Sequence, residues 1–160
     1  MNVEKYTTKS TVSSLIYTFD SVGTKIIKKV VIYSKIEYPE YVGLPPDTEV
    51  YNLGFGDFDE ETGGIDDNIE SRNGDTEKVL ATVANTANQF WGEYPDALLF
   101  FRGSQPSGEK PRRTRLYQMG LNKYMDDINS IVDVFGFVND EWEEFTVNKN
   151  YTAFLILRKD

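Results

Sequence analysis

A chain of 160 residues is long enough to bury one domain's core, and its formal net charge of −9 argues against general binding to nucleic acid or an anionic membrane. Ten tyrosines, ten phenylalanines and two tryptophans favour a sheet, because aromatic side chains fit a pleated, half-buried surface. Cysteine and histidine are both absent, which excludes disulfides, thiolate nucleophiles, zinc–sulfur sites and the usual neutral-pH proton shuttle.

Any catalysis must therefore use Tyr, Asp, Glu, Lys, Ser, Thr, Arg or a bound ion, and nothing in the sequence requires a cofactor. No apolar run is long enough to cross a bilayer, and MNVEKYTTKSTVSS lacks the apolar core of a signal peptide. The expectation is a cytoplasmic protein of one domain, residues 1–160, with the first ten residues frayed or forming an edge strand.

In chain order, SLIYTFD (14–20) alternates Leu15, Tyr17 and Phe19 on one face and reads as a strand. Ser21-Val22-Gly23 reads as a hairpin loop into a second strand, TKIIKKVVIYSKIEY. Residues 38–47, with three prolines, form a loop, and EVYNLGFGDFD (49–59) forms a third strand. Thr62-Gly63-Gly64 is a turn, and Ile65–Glu70 a short returning strand. Asp75 or Thr76 caps a helix whose stripe is Val79, Leu80, Val83, Ala87, Phe90 and Trp91, ended by Gly92 and Pro95.

Residues 97–101 are a buried strand. A second helix opens at Pro111 with Tyr117, Leu121, Tyr124, Met125 and Ile128 on one face, and Gly120 divides or bends it. Residues 131–138 and 150–159 are strands separated by a polar connection containing a tryptophan. The class is α+β: a mixed, largely antiparallel sheet of six to seven strands with two main helices.

The segment FRGSQPSGEKPRRTRLYQMG (101–120) stands apart. Arg102, Lys110, Arg112, Arg113 and Arg115 gather there with Glu109 alone opposing them. A helix N-terminus offers unpaired N–H groups and positive partial charge, and guanidinium groups grip planar oxyanions bidentately. Arginines in a first helical turn also oppose the helix dipole, so an anion is needed to make the placement favourable.

Arg102, Arg112, Arg113 and Arg115, with the hydroxyls of Ser104 and Thr114, are the candidate anion site. The expected ligand is a phosphate-bearing small molecule, a nucleotide or CoA-like compound, or a nucleic-acid phosphate. The bland alternatives are pairing with the protein's own carboxylates or docking an acidic protein partner, as in a toxin–antitoxin or phage-defence pair. Arg112 and Arg115 share a helical face and Arg113 points elsewhere.

DFDEETGGIDDN (57–68) places Asp57, Asp59 and Glu61 at the first, third and fifth positions of a calcium loop. Its glycine falls one place late and Asn68 replaces the closing glutamate, so a solvated hairpin tip is the expectation. Asp57 and Asp59 are the candidate metal ligands. SRNGDT (71–76) lacks the P-loop lysine and reads as a glycine turn before a capping aspartate.

FGDFDEETGGIDD, NGDTEKVLATVANT and FRGS…RTRLYQMG together resemble an uncharacterised family of small Bacteroidetes proteins, a domain of unknown function, over nearly the whole chain. That likeness implies no activity. More distantly, the order of elements is similar to GNAT-type acyltransferases, and Leu116-Tyr117-Gln118-Met119-Gly120-Leu121 is similar to a segment of their later helix. The resemblance implies that Tyr117 is a candidate general acid to a departing thiolate. Arg72-Asn73-Gly74-Asp75-Thr76-Glu77 does not keep that family's pyrophosphate-loop spacing.

Overall fold

A computed structural model describes residues 4–11, 13–66, 73–102, 118–123, 125 and 130–159. Nine strands are present in the described residues: β1 (Lys9–Ser10), β2 (Ile16–Val22), β3 (Ile26–Lys35), β4 (Val50–Phe58), β5 (Ile65–Asp66), β6 (Leu98–Phe101), β7 (Val132–Val138), β8 (Glu141–Glu144) and β9 (Ala153–Arg158). Their order is β1-β2-β3-β4-β6-β9-β7-β8, with β5 paired to β4. Helix α1 spans Thr76–Glu93, and residues 118–123 are helical and are called α2. The class is α+β, as expected.

The strand count exceeds the expected six to seven. β1 forms the edge, and β8 replaces the anticipated polar connection. EWEE offers one apolar side chain, so alternation gives little signal there. The informative residues are Asn139 and Asp140, whose φ values of 52° and 62° form a two-residue turn between β7 and β8. Paired left-handed residues match the twist of a hairpin, and Asn and Asp tolerate that conformation.

The β2–β3 turn also lies later than expected. Val22 pairs with Ile26, so the turn is Gly23–Lys25. α2 runs helical through Gly120, which does not end it. β4 and β6 are parallel, Val50 opposite Leu98, while β1–β2, β2–β3, β4–β5, β6–β9, β7–β8 and β7–β9 are antiparallel. Parallel neighbours need a long crossover. The stretch from Asp59 to Ala97, which contains α1, supplies it.

The chain divides into two compact units, Met1–Tyr33 with Gly54–Tyr94, and Ser34–Leu53 with Pro95–Asp160. In the first, α1 buries Val79, Val83, Ala87, Phe90 and Trp91 as the periodicity predicts, while Leu80, expected with them, is only half-buried and Thr82 and Thr86 join the stripe. Those threonines are tolerated inside because each hydroxyl donates to its own helix, Thr82 to the Lys78 carbonyl and Thr86 to that of Val83. Tyr33 stacks on Phe90 at 4.4 Å and meets Tyr17 edge-on at 5.8 Å.

The core of the second unit is nearly all apolar. Val50, Phe100, Ala153 and Leu155 are buried, with Leu98, Phe135 and Trp142 packed against them. Gly136 is required here: a Cβ would lie 2.2 Å from the Tyr151 ring. Among the described residues, no helix is long and apolar enough to cross a membrane.

Candidate functional site

β6 delivers the chain to the arginine-rich segment. Its last residue, Phe101, pairs with Phe154 of β9 and stacks on the same ring at 5.2 Å. Arg102 follows, exposed. Ser104, Arg112, Arg113, Thr114, Arg115 and Tyr117 lie outside the described residues, as does Tyr124.

The chain is fixed again at the far side of the segment. Gln118, the first described residue there, is buried and accepts a hydrogen bond from the Tyr151 N–H at 3.3 Å. Its amide donates to Asn122 Oδ1 at 3.1 Å, and that oxygen also accepts the Asn148 N–H at 2.9 Å. Asn148 takes a left-handed φ of 69°, a conformation asparagine adopts more readily than most residues.

The anchors Phe101–Phe154 and Gln118–Tyr151 thus fall three residues apart along the approach to β9. Local sequence gave no sign of this, because Gln118 and Tyr151 are 33 positions apart.

Tyr151 organises the ground beside that anchor. Its hydroxyl donates to Glu143 at 3.0 Å and accepts the Thr146 N–H at 3.0 Å. Lys149 Nζ donates to both Glu143 oxygens at 2.9 and 2.8 Å. The bond from Lys149 holds the Glu143 carboxyl below the usual range, with the Tyr151 hydroxyl acting in the same direction, and Glu143 in turn raises Lys149. The Lys149 charge is therefore matched locally.

The acidic tip of the first unit is a hairpin, as expected. Asp57 pairs with Asp66 and Phe58 with Ile65. Asp59 Oδ1 accepts the Glu61 N–H at 2.9 Å, and the Thr62 hydroxyl accepts that of Gly64 at 3.2 Å. Asp57 is buried against Lys29, with Nζ 2.5 Å from its carboxylate. The sequence did not single out that pair. Among the described residues, no group of three carboxylates is gathered to hold a metal ion.

Asp75 stands at the N-cap position of α1, but its side chain makes no capping bond. Its Oδ2 instead accepts the hydroxyls of Ser21 at 2.5 Å and Tyr6 at 2.6 Å. Asn73, buried two residues earlier, closes the β2–β3 hairpin: its Oδ1 accepts the Lys25 N–H and its amide donates to the Lys25 and Ser21 carbonyls. Gly74, at φ 75°, provides the turn the sequence indicated.

The model of a family of unknown function (DUF6934) matches residues 2–159. The chain belongs to that family. The match covers the arginine-rich segment, the acidic tip and α1, the three stretches that carried the resemblance. No curated protein and no solved structure matches the chain.

Proposed function

We propose that this family member is a cytoplasmic protein that binds a phosphate-bearing ligand at the arginine-rich segment beginning at Arg102. The observation that carries the reading is a concentration of guanidinium groups on an acidic chain, in a segment whose flanks are tied down three residues apart by Phe101–Phe154 and Gln118–Tyr151. Fixed flanks reduce the ordering cost of a loop that closes on a ligand. Arg102 is exposed and makes no ion pair with a described carboxylate. Arg112 and Arg115 supply the bidentate grip, and Ser104 and Thr114 supply hydroxyl donors.

In its acyl-transfer form, the anion is the pyrophosphate of an acyl-CoA, an acceptor amine displaces the thiolate from the acyl carbon, and Tyr117 gives the thiolate a proton that the amine's lost proton replaces. That form needs neither histidine nor cysteine.

The test is thermal unfolding of the full chain with inorganic phosphate, pyrophosphate, ATP with magnesium, acetyl-CoA and a short RNA. A ligand at about one hundred times its dissociation constant adds roughly 2.7 kcal/mol, a shift of a few degrees. The expected result is one clear responder whose shift disappears in the Arg112→Ala/Arg115→Ala variant, with the unliganded melting temperature unchanged. Silence across the panel, or an undiminished shift in the variant, overturns the reading.

A further inference from the structure

Residues Pro39–Val42 of the second unit form a 3-10 turn, and its period of three sorts the side chains. Pro39 is buried and Val42 packs against the core. Tyr38 and Tyr41 point the other way, 60% and 85% exposed, with their rings edge-to-face at 5.8 Å. Two neighbouring tyrosines this open gain little from folding.

The turn that carries them is nevertheless rigid. Tyr41 N–H donates to the Tyr38 carbonyl, Gly43 N–H to that of Glu40 and Leu44 N–H to that of Pro39. Gly43 closes it at φ 77°, and the Trp142 indole donates to the Val42 carbonyl at 2.8 Å. Rigid, exposed aromatic side chains are the usual anchors of a binding surface, since little freedom is lost when they are covered.

The charge of the surrounding segment indicates what covers them. Between Ile36 and Glu49 stand Glu37, Glu40, Asp47 and Glu49, all exposed, and no lysine or arginine. None of the four forms an ion pair with a described residue. Glu37 and Glu40 directly precede the two tyrosines. Rings set at 73° to one another, next to carboxylates that pair with no described residue, are complementary to a cation, attracted by the ring faces and neutralised by the acids.

We infer that the Tyr38/Tyr41 turn is a docking surface for an arginine-bearing peptide segment of a partner protein. Arginine suits it better than lysine because the planar guanidinium stacks on a ring and still presents its N–H edge to a carboxylate. The turn and the arginine-rich segment are different stretches of the sequence, and the test of the turn does not depend on that segment binding phosphate.

The experiment titrates the full chain against a fluorescent peptide of alternating arginine and alanine, with a glutamate–alanine peptide as control. The arginine peptide binds and the control does not. Tyr41→Ala weakens binding about fivefold, while Tyr41→Phe, which keeps the ring, retains it. Glu37→Gln/Glu40→Gln weakens binding and flattens its dependence on salt. Glu60→Gln/Glu61→Gln, an equal charge change at the acidic tip, leaves affinity unchanged. The inference is overturned by no binding, by equal loss in the tip variant, or by full affinity in Tyr41→Ala. Melting temperatures within error of the parent chain exclude loss of fold as the cause.

Discussion

Both units bury aromatic rings, but they differ in the polar groups they bury. The first hides charges and hydroxyls: Lys29 against Asp57, Ser21 and Tyr6 against Asp75, and Asn73 inside a hairpin turn. The second buries Phe101 and Tyr151, with half-buried Phe145, around Phe154, and its charged pairs Glu143–Lys149 and Asp133–Lys159 stay at the surface. Apolar burial is non-directional and tolerates small shifts. A buried polar network is costly unless every member is partnered. The first unit is therefore specified by partners and the second by shape.

Breaking one partnership should cost most. Asp57→Ala removes the carboxylate 2.5 Å from the buried Lys29 ammonium, and a loss of about 3–5 kcal/mol is expected in chemical denaturation. Replacing both, as Lys29→Met/Asp57→Leu, should recover most of that stability, because the cost comes from removing one member of a buried ion pair and leaving the other charged.

The matching break in the second unit is steric. Gly136→Ala drives a methyl group into the Tyr151 ring and should cost about 1–3 kcal/mol. If the unit is specified by shape, a smaller ring-deleting change, Tyr151→Leu, should partly offset Gly136→Ala in the double variant. Simple additivity would count against that description.

Much of this was legible in the sequence. Alternation located β2, and the 3.6-residue period located most of the α1 stripe, although Leu80 is only half-buried and Thr82 and Thr86 were not foreseen. What sequence could not supply were pairings between distant positions. Lys29 sits among β-branched residues and reads as any strand lysine until Asp57, 28 positions on, is placed beside it.

Asp75 carried the right residue type for a cap, but Ser21 and Tyr6 compete for its carboxylate and win. β8 was hidden because edge strands carry charge to discourage pairing, which erases alternation. The anion site was read from composition alone, and of its residues Arg102 is the one the structure describes.

The smallest expected effect sharpens the contrast through pH. Burial, followed by the bond to Asp75, raises the Tyr6 hydroxyl above its ordinary 10.0, and burial raises Tyr17 as well. A raised folded-state value favours the protonated form in the native state. The stabilisation is complete below about pH 10 and lost as pH climbs through the folded values. The melting temperature should therefore fall above about pH 10, less steeply in Tyr6→Phe, which retains the Tyr17 contribution. An identical slope in that variant would remove Tyr6 from the first unit's polar network.

Asn73 has one more consequence, for the order of assembly. The β2–β3 hairpin is local in sequence, but its turn is completed by a side chain 48 residues downstream, and Tyr6 waits for an acceptor 69 residues away. Loop closure over such spans carries an entropic cost that a self-sufficient hairpin avoids, and distant contacts slow folding. On a ribosome the first strands emerge early, but they cannot be locked until the opening of α1 has been synthesised.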